Sequence, residues 1–496
     1  MQGSLQQLTA SIAGARMTRD AAFEGVSTDS RSAPAGALFV ALRGETFDAH
    51  DFLDQVAARN VAAVVVEKLP ENFPLPALVV PDTLVALGRI GNAWRSQFAM
   101  PVIGVTGSNG KTTVKEMIAS ILAAHVGEDA RLATQGNLNN EIGVPLTVMR
   151  LSAAHKAAVV ELGMNHPGEI ARLAAIAAPT VALVNNAQRE HQEFMHTVEA
   201  VARENGSVLA ALPADGVAVF PGDDEYTALW RELAAGKDVL TFGLTETCDV
   251  RATYTVNSFG ADLVVSVTPS FPRRRESKFG AADAHKNLDS RLRGNDGEAS
   301  GNDVQTFTIK LSAAGEHNVR NALAACACAL AAGIPVDAIV RGLEAFAPVS
   351  GRLQRKQAVN GATVIDDSYN ANPDSVRAAI DVLAQSAAPR ILVLGDMGEV
   401  GTQGPEFHEE IGAYAASRGI ESVLVTGALA RHVAGKGTGA QHFEQFDDLL
   451  AALDKQMRQL GSKSDATVLV KGSRFMKMER VVQHLVQSQN TGKDSH

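Results

Sequence analysis

Pro101-Val-Ile-Gly-Val-Thr-Gly-Ser-Asn-Gly-Lys-Thr-Thr113 is the stretch on which the fold turns. Its first half, Pro101–Thr106, is mostly apolar and β-branched and reads as a buried strand. Its second half runs into the helical pattern Lys111–His125. A loop that cradles phosphates needs glycines where backbone meets oxygen, inward N–H groups, a Lys for the β/γ charge and a hydroxyl for Mg²⁺. Gly107, Gly110, Lys111 and Thr112 supply these, with Ser108, Asn109 and Thr113 completing the loop. The strict G-x-x-x-x-G-K-[ST] spacing is missed by one, since Gly104 stands six residues before Gly110. The strand–loop–helix setting still points to nucleotide binding, with ATP the expected nucleotide.

Outward from this loop, short apolar runs alternate with helical patterns. Strands are expected at Ala62–Val66, Ala157–Leu162, Val181–Val184, Val217–Phe220, Thr363–Ile365, Ile391–Leu394, Val423–Val425 and Val468–Val470. Helical patterns lie at Phe52–Arg59, Asn318–Ala332, Val336–Phe346 and Val376–Gln385. This alternation implies an α/β protein with parallel sheets and crossover helices, whose ligands sit at the carboxyl ends of the strands. A length of 496 residues suggests three domains. The expected units are a smaller α/β domain over 1–98, a central P-loop-type parallel sheet with the ATP site over 99–348, and a Rossmann-like α/β domain over 349–496. Between the strand-like runs Asp262–Thr268 and Val304–Leu311, the polar segment 270–301 reads as an exposed insertion. Its ends resemble translated palindromic repeats, and its deletion is expected to leave activity largely intact. The tail after Gln487 is polar and expected to fray.

A net charge of −10 argues against nucleic acid as a partner. Cys248, Cys326 and Cys328 are too few and scattered for a disulfide framework, and Cys326-x-Cys328 reads as buried packing in an Ala-rich helix. Residues 1–16 lack a signal-peptide pattern and no stretch is apolar enough for a membrane span, so a cytoplasmic location is expected.

Several polar clusters resist explanation by packing. Gly136–Gly143 holds three Asn and a Glu; a surface turn is the plain alternative. Glu161 ends an apolar strand, where a carboxylate suits Mg²⁺, although a helix-capping role near His166 is the bland reading. His191 follows the strand Val181–Val184 and its extension Asn185-Asn186. Asp374 or Ser375 is an expected N-cap, which leaves Asp366, Asp367, Asn370 and Asn372 without a capping role. Lys471-Gly-Ser-Arg474 offers cations after another strand.

Taken together these motifs resemble the Mur ligase family, ATP-dependent amide-forming enzymes of peptidoglycan synthesis. The resemblance rests on Gly107–Thr113, Glu161–Ile170, His317-Asn-Val-Arg-Asn-Ala322 and Gly351-Arg-Leu353. Ser27-Thr-Asp-Ser-Arg31, Leu38–Gly44 and His50–Phe52 resemble the uridine-diphosphate-binding first domain. Asn137–Pro145, Asp366–Ser375, Leu394–Glu399 and Lys471–Arg474 are similar to the member that joins D-alanyl-D-alanine to UDP-N-acetylmuramoyl-tripeptide. The tripeptide-forming relative carries an Asp-Tyr-Ala-His-Thr-Pro-Asp version of Asp366–Ser375, which is absent here.

The resemblance implies ATP and Mg²⁺ as cofactors, a monomer, and an acyl phosphate that the amine of D-alanyl-D-alanine attacks. It implies that Lys111, Glu161 and His191 act in catalysis, with Thr112 and Glu161 as metal ligands and His191 near a second Mg²⁺. Asn321 would meet adenine, and Arg352 and Asp366 would meet ATP from across the domain junction. Asn137, Asn140 and Glu141 would contact the muramoyl peptide, and Ser30 and Arg31 of the first domain would bind the same substrate at its uridine diphosphate. Asn370, Asn372, Lys471, Ser473 and Arg474 belong to the closing third domain. One departure stands out. Many members carry a carbamylated Lys that helps hold Mg²⁺, and Asn205 takes its place in Val201–Gly206, while the adjacent Glu204 would point elsewhere on a helix. A ligase adding a different amino acid and a phosphate-loop NTPase that drives conformational change are the alternatives.

Overall fold

Val102–Thr106 lies inside a nine-stranded sheet, between Val181–Val184 and Ala157–Glu161. The computed structural model describes residues 1–44, 46–257, 259–268, 304–435, 437–461 and 465–487. The insertion expected at 270–301 and the tail after Gln487 lie outside the described residues. From Arg131–Ala133 at one edge through to Val250–Asn257 the sheet is parallel; Gly260–Val267 and Gln305–Leu311 then close the other edge as antiparallel strands.

Successive side chains of a strand face opposite layers, and here both layers are helical. Ile103 and Val105 join the core beneath the helices Lys111–Val126, Glu316–Ala331 and Val336–Ala345. Val102 joins the core under Glu169–Ala177 and Val198–Ala210. A two-sided cover explains why Val102–Thr106 reads as a continuous apolar run. The helix Glu316–Ala331 packs closely because its buried residues are small, Cys326 and Cys328 among them; burial pushes the Cys326 thiol up to about 12. The helix Val336–Ala345 seats Gly342 so closely on the phosphate-loop helix that a Cβ there would lie 2.4 Å from Ile121 Cα.

A second sheet runs Gln354–Gln357, Thr363–Asp367, Thr467–Lys471, Arg390–Leu394, Ser422–Thr426, Gln441–Phe443, parallel except for its first pair. A smaller five-stranded sheet is built from residues 16–79. The helix Thr83–Arg95 fastens that unit to the central one. Arg95, 5 % exposed, donates to the carbonyls of Ala177 (3.1 Å) and Ala178 (2.9 Å) at the end of Glu169–Ala177, where the helix dipole favours a cation.

Two expectations need correction. The helix after the Asp366–Ser375 stretch begins earlier than its apolar pattern, at Pro373. Its cap is Asn372, which exchanges bonds with Ser375 in a capping box, not Asp374 or Ser375. The Phe52–Arg59 pattern divides into a 3₁₀ turn at Ala49–Phe52 and a short helix at Leu53–Ala57. Strands of three residues such as Ala77–Val79 and Arg131–Ala133 are too brief for periodicity to reveal.

Candidate active site

The carboxyl ends of the central and third-unit strands meet across a cleft of about 910 Å³. Glu161, Asn185, Asp367 and Lys471, each at or just beyond a strand end, line it together with Ser108–Thr113. This is where an open α/β sheet places its ligand.

The phosphate loop is held from behind by amides. Asn185 and Asn186 both donate to the Asn109 carbonyl, at 2.8 and 3.0 Å, and Asn186 Oδ1 accepts from Asn109 N at 2.8 Å. Gly107 (φ 133°) and Gly110 (φ 80°) take conformations that favour glycine. A Cβ on Gly110 would also sit 2.5 Å from Asn321 Oδ1. Gly110 opens the helix Lys111–Val126, whose first N–H groups have no intrahelical acceptor and can meet phosphate. Asn321 lines the cleft with its amide engaged by Asn185 (2.9 Å) and Asn318 (3.1 Å).

Glu161 is 2 % exposed. Its Oε1 accepts from Thr112 Oγ1 at 3.2 Å and Asn139 Nδ2 at 2.8 Å, while Oε2 is buried without a hydrogen-bond partner. An orphaned carboxylate oxygen beside a hydroxyl suits a hard divalent cation, so Thr112 and Glu161 fit Mg²⁺. The capping role weighed for Glu161 is not seen: Glu169 ties the preceding turn by accepting from the N–H groups of Asn165 and His166, and Glu204 accepts from those of Gly168 and Ile170 at the helix start.

Lys111 Nζ donates to Gly107 O (2.6 Å), Ser108 O (3.0 Å) and Glu190 Oε1 (2.9 Å). Burial opposes ionisation of Glu190, but Lys111 and His191 outweigh it and hold the carboxyl below its usual range. His191 sits in a left-handed conformation (φ 50°), with Nε2 at 3.4 Å from Glu190 and Nδ1 at 2.8 Å from Glu399. Burial alone would lower its pKa; the two carboxylates prevail and push it up to about 9. Asn205 lies behind the loop, 1 % exposed, its Oδ1 accepting from Thr106 Oγ1 (2.5 Å) and Gly107 N (3.1 Å). Glu204 indeed points away, accepting from Gly168 N and Ile170 N at 2.8 Å each.

The third unit grips this loop directly. Asn372 Nδ2 donates to Asn109 Oδ1 at 2.8 Å. Arg189 forms paired bonds to Asp374, the shortest 2.6 Å, and reaches Glu410 at 2.6 Å. The two acidic partners hold the guanidinium pKa above its usual value despite burial. These side chains are 22–31 % exposed, so solvent weakens the pairing. Replacing Arg189 with Ala is expected to loosen closure and lower kcat/KM by about 10- to 100-fold, a cost of roughly 1.4–3 kcal/mol. Small-angle scattering should show a larger radius of gyration with a bound ATP analogue; unchanged kinetics and radius would refute the latch.

The other expected residues divide. Lys471 Nζ bonds Asp367 Oδ2 (2.6 Å) and Asn370 O (2.8 Å), and burial pushes the Asp367 carboxyl up despite that cation. Arg352 and Arg474 flank the Tyr369 ring, at 4.3 and 5.8 Å from its centroid. Asn370, Asn137, Asn140 and Glu141 line the cleft, Asn140 Oδ1 accepting from Gly143 N (2.9 Å) and Glu141 pairing with Arg172. Asp366, expected at ATP, does not line it: its carboxylate is spent on Ser368 (2.6 Å) and Lys356 (2.7 Å), and Asp367 takes the cleft position. Side chains alternate along a strand, so one residue of register exchanges these roles. Ser473 supports from outside the lining, donating to Ala371 O and accepting from Gly398 N. Ser30 and Arg31 lie off the cleft in the first unit, which contributes only Leu84 among the described lining residues. Arg189 and Glu190 were missed as site residues, and only their position after a strand end hinted at them; Asn139, Asn186 and Asp367 lay in stretches singled out for their polarity but were given no role.

A phosphate loop at the carboxyl end of an inner strand, a buried carboxylate beside it and a second α/β unit packed over it define an ATP-using enzyme. The chain belongs to the Mur ligase family: it matches the family's catalytic domain over residues 22–95, its middle domain over 105–329 and its glutamate ligase domain over 351–474. It is 36% identical to the UDP-N-acetylmuramoyl-tripeptide–D-alanyl-D-alanine ligase of Escherichia coli K12, over 97% of this chain and 98% of that one. The crystal structure of MurF from Acinetobacter baumannii superposes with a TM-score of 0.85 at 33% identity, covering 98% of this chain and 99% of that one. MurF ligase from Thermotoga maritima in complex with ADP gives 0.77 at 25% identity, covering 93% and 97%.

Proposed function

We propose that the chain joins D-alanyl-D-alanine to UDP-N-acetylmuramoyl-tripeptide, converting ATP to ADP and phosphate. The observation that carries this reading is the 36% identity to the Escherichia coli ligase over 97% of the chain, spanning all the units that meet around the cleft. Oxide is a poor leaving group, so a carboxylate does not form an amide directly. Its oxygen first attacks the γ-phosphorus of ATP and the bond to ADP breaks. The D-alanyl-D-alanine nitrogen then attacks the carbonyl carbon, phosphate leaves with the acyl oxygen, and the nitrogen loses its proton.

The protein's part is positioning and charge neutralisation. Lys111 supplies a cation at the loop, and the first N–H groups of Lys111–Val126 supply dipoles. Thr112 and Glu161 would hold Mg²⁺, which draws charge from the phosphate oxygens. In this reading residues 1–98 carry the uridine diphosphate through Ser30 and Arg31, 99–348 carry ATP, and 349–496 present D-alanyl-D-alanine near Asn370 and Lys471. Free buried Cys248, Cys326 and Cys328 suit the cytoplasm. Among the described residues no helix is long and apolar enough to cross a membrane.

Phosphate release tests the assignment. It is expected only when ATP, UDP-muramoyl-tripeptide and D-alanyl-D-alanine are all present. Release with ATP alone would indicate a motor-type NTPase, and a requirement for another amine would indicate a different ligase.

A further inference from the structure

Among the described residues lining the cleft, two carboxylates each bury an oxygen that has no hydrogen-bond partner: Glu161 Oε2 and Glu190 Oε2. The first lies beside Thr112, as a cation site requires. The second has no such explanation in the reading above. The family resemblance already implies a second Mg²⁺ near His191, with Asn205 in place of the carbamylated Lys; we infer that Glu190, on the Lys111 side of the cleft, is the direct ligand of that second cation through Oε2.

The placement of Glu190 is specific. Its Oε1 is held by Lys111 Nζ at 2.9 Å and lies 3.4 Å from His191 Nε2. Its neighbours are pinned: Arg189 by Asp374 and Glu410, His191 by a left-handed backbone, and Glu190 O by Gln192 Nε2 at 3.2 Å. A buried carboxylate with one satisfied oxygen and one orphan is costly, and a chain retains that arrangement most readily where a ligand completes it.

The charge balance points the same way. A bound nucleoside triphosphate brings several negative charges, and Lys111 turning to the phosphates would leave Glu190 without its strongest partner. A divalent cation held by Glu190 would offset that charge. Mg²⁺ binds through one or two carboxylates and completes its shell with phosphate oxygens and water, so one well-placed carboxylate suffices. Asn205 cannot supply the carboxylate instead: it is a neutral amide whose oxygen is already spent on Thr106 and Gly107.

This inference rests on the nucleotide-site reading, and the test separates the two. The full-length chain is titrated with Mn²⁺ at saturating non-hydrolysable ATP analogue, and bound metal is counted by electron paramagnetic resonance without turnover. Two Mn²⁺ per chain are expected. In Glu190→Gln the second should weaken by at least about 10- to 100-fold while the first and the analogue affinity persist; Glu190→Asp should recover part of the loss. Two Mn²⁺ bound equally by Glu190→Gln, or one alone in the unaltered chain, overturns the role of Glu190. Loss of analogue binding in Glu190→Gln overturns it too, in favour of a role confined to Lys111. An unaltered chain that binds neither analogue nor Mn²⁺ refutes the nucleotide-site reading itself.

Discussion

Lys111→Ala is expected to lower phosphate release by about 1,000-fold or more, since in the proposed mechanism this side chain carries the loop's cation to the transferring phosphoryl group. The structure adds a consequence that the motif does not contain. Lys111 and Glu190 are 15 % and 11 % exposed and pair at 2.9 Å, so truncating the lysine strands a nearly buried carboxylate. Allowing for residual solvent and His191, the cost is on the order of 2 kcal/mol, or roughly 4–8 °C in Tm. The double variant Lys111→Ala, Glu190→Gln should regain most of that Tm and none of the turnover. Calorimetry and a phosphate-release assay read the two effects separately. Turnover within a few-fold of the unaltered chain would remove Lys111 from the mechanism.

Glu161→Gln is expected to move stability and activity in opposite directions. The orphaned Oε2 is a buried charge with no partner, so neutralising it should raise the metal-free Tm by roughly 2–8 °C, equivalent to about 1–2 kcal/mol. Gln keeps the acceptor that Thr112 and Asn139 use, so the local packing has no reason to change. Turnover should fall by about 100- to 1,000-fold, and the Mg²⁺ concentration for half-activity should rise at least about tenfold. Melting in a chelator and a Mg²⁺ titration of the rate test both halves. A variant that melts lower yet turns over normally would show that Glu161 is structural.

Much of the architecture was legible because it follows from local chemistry. The run Pro101–Thr106 reads as a buried strand because both faces of that strand are covered by helices. Glycine at 107 and 110 reads as a phosphate loop because no other residue takes those backbone angles beside an approaching side chain. Glu161 could be singled out because a carboxylate closing an apolar strand has no packing reason to be there. The legibility stopped at single positions within a motif. Asp366 and Asp367 are equivalent in composition, and only the register of Thr363–Asp367 against Thr467–Lys471 decides which meets Lys471.

The phosphate loop, the α/β alternation and the family were thus determined by the order of residues, since glycine angles, strand periodicity and motif spacing are properties of short segments. The partners of the loop were decided by tertiary structure alone. Asn185 and Asn186 brace it from 76 and 77 residues away, and Asn372 meets it from 263. Glu190 becomes a candidate ligand only because folding buries one oxygen against Lys111 and leaves the other bare. Burial and pairing across such separations are set by how the sheets stack, and no local pattern encodes them.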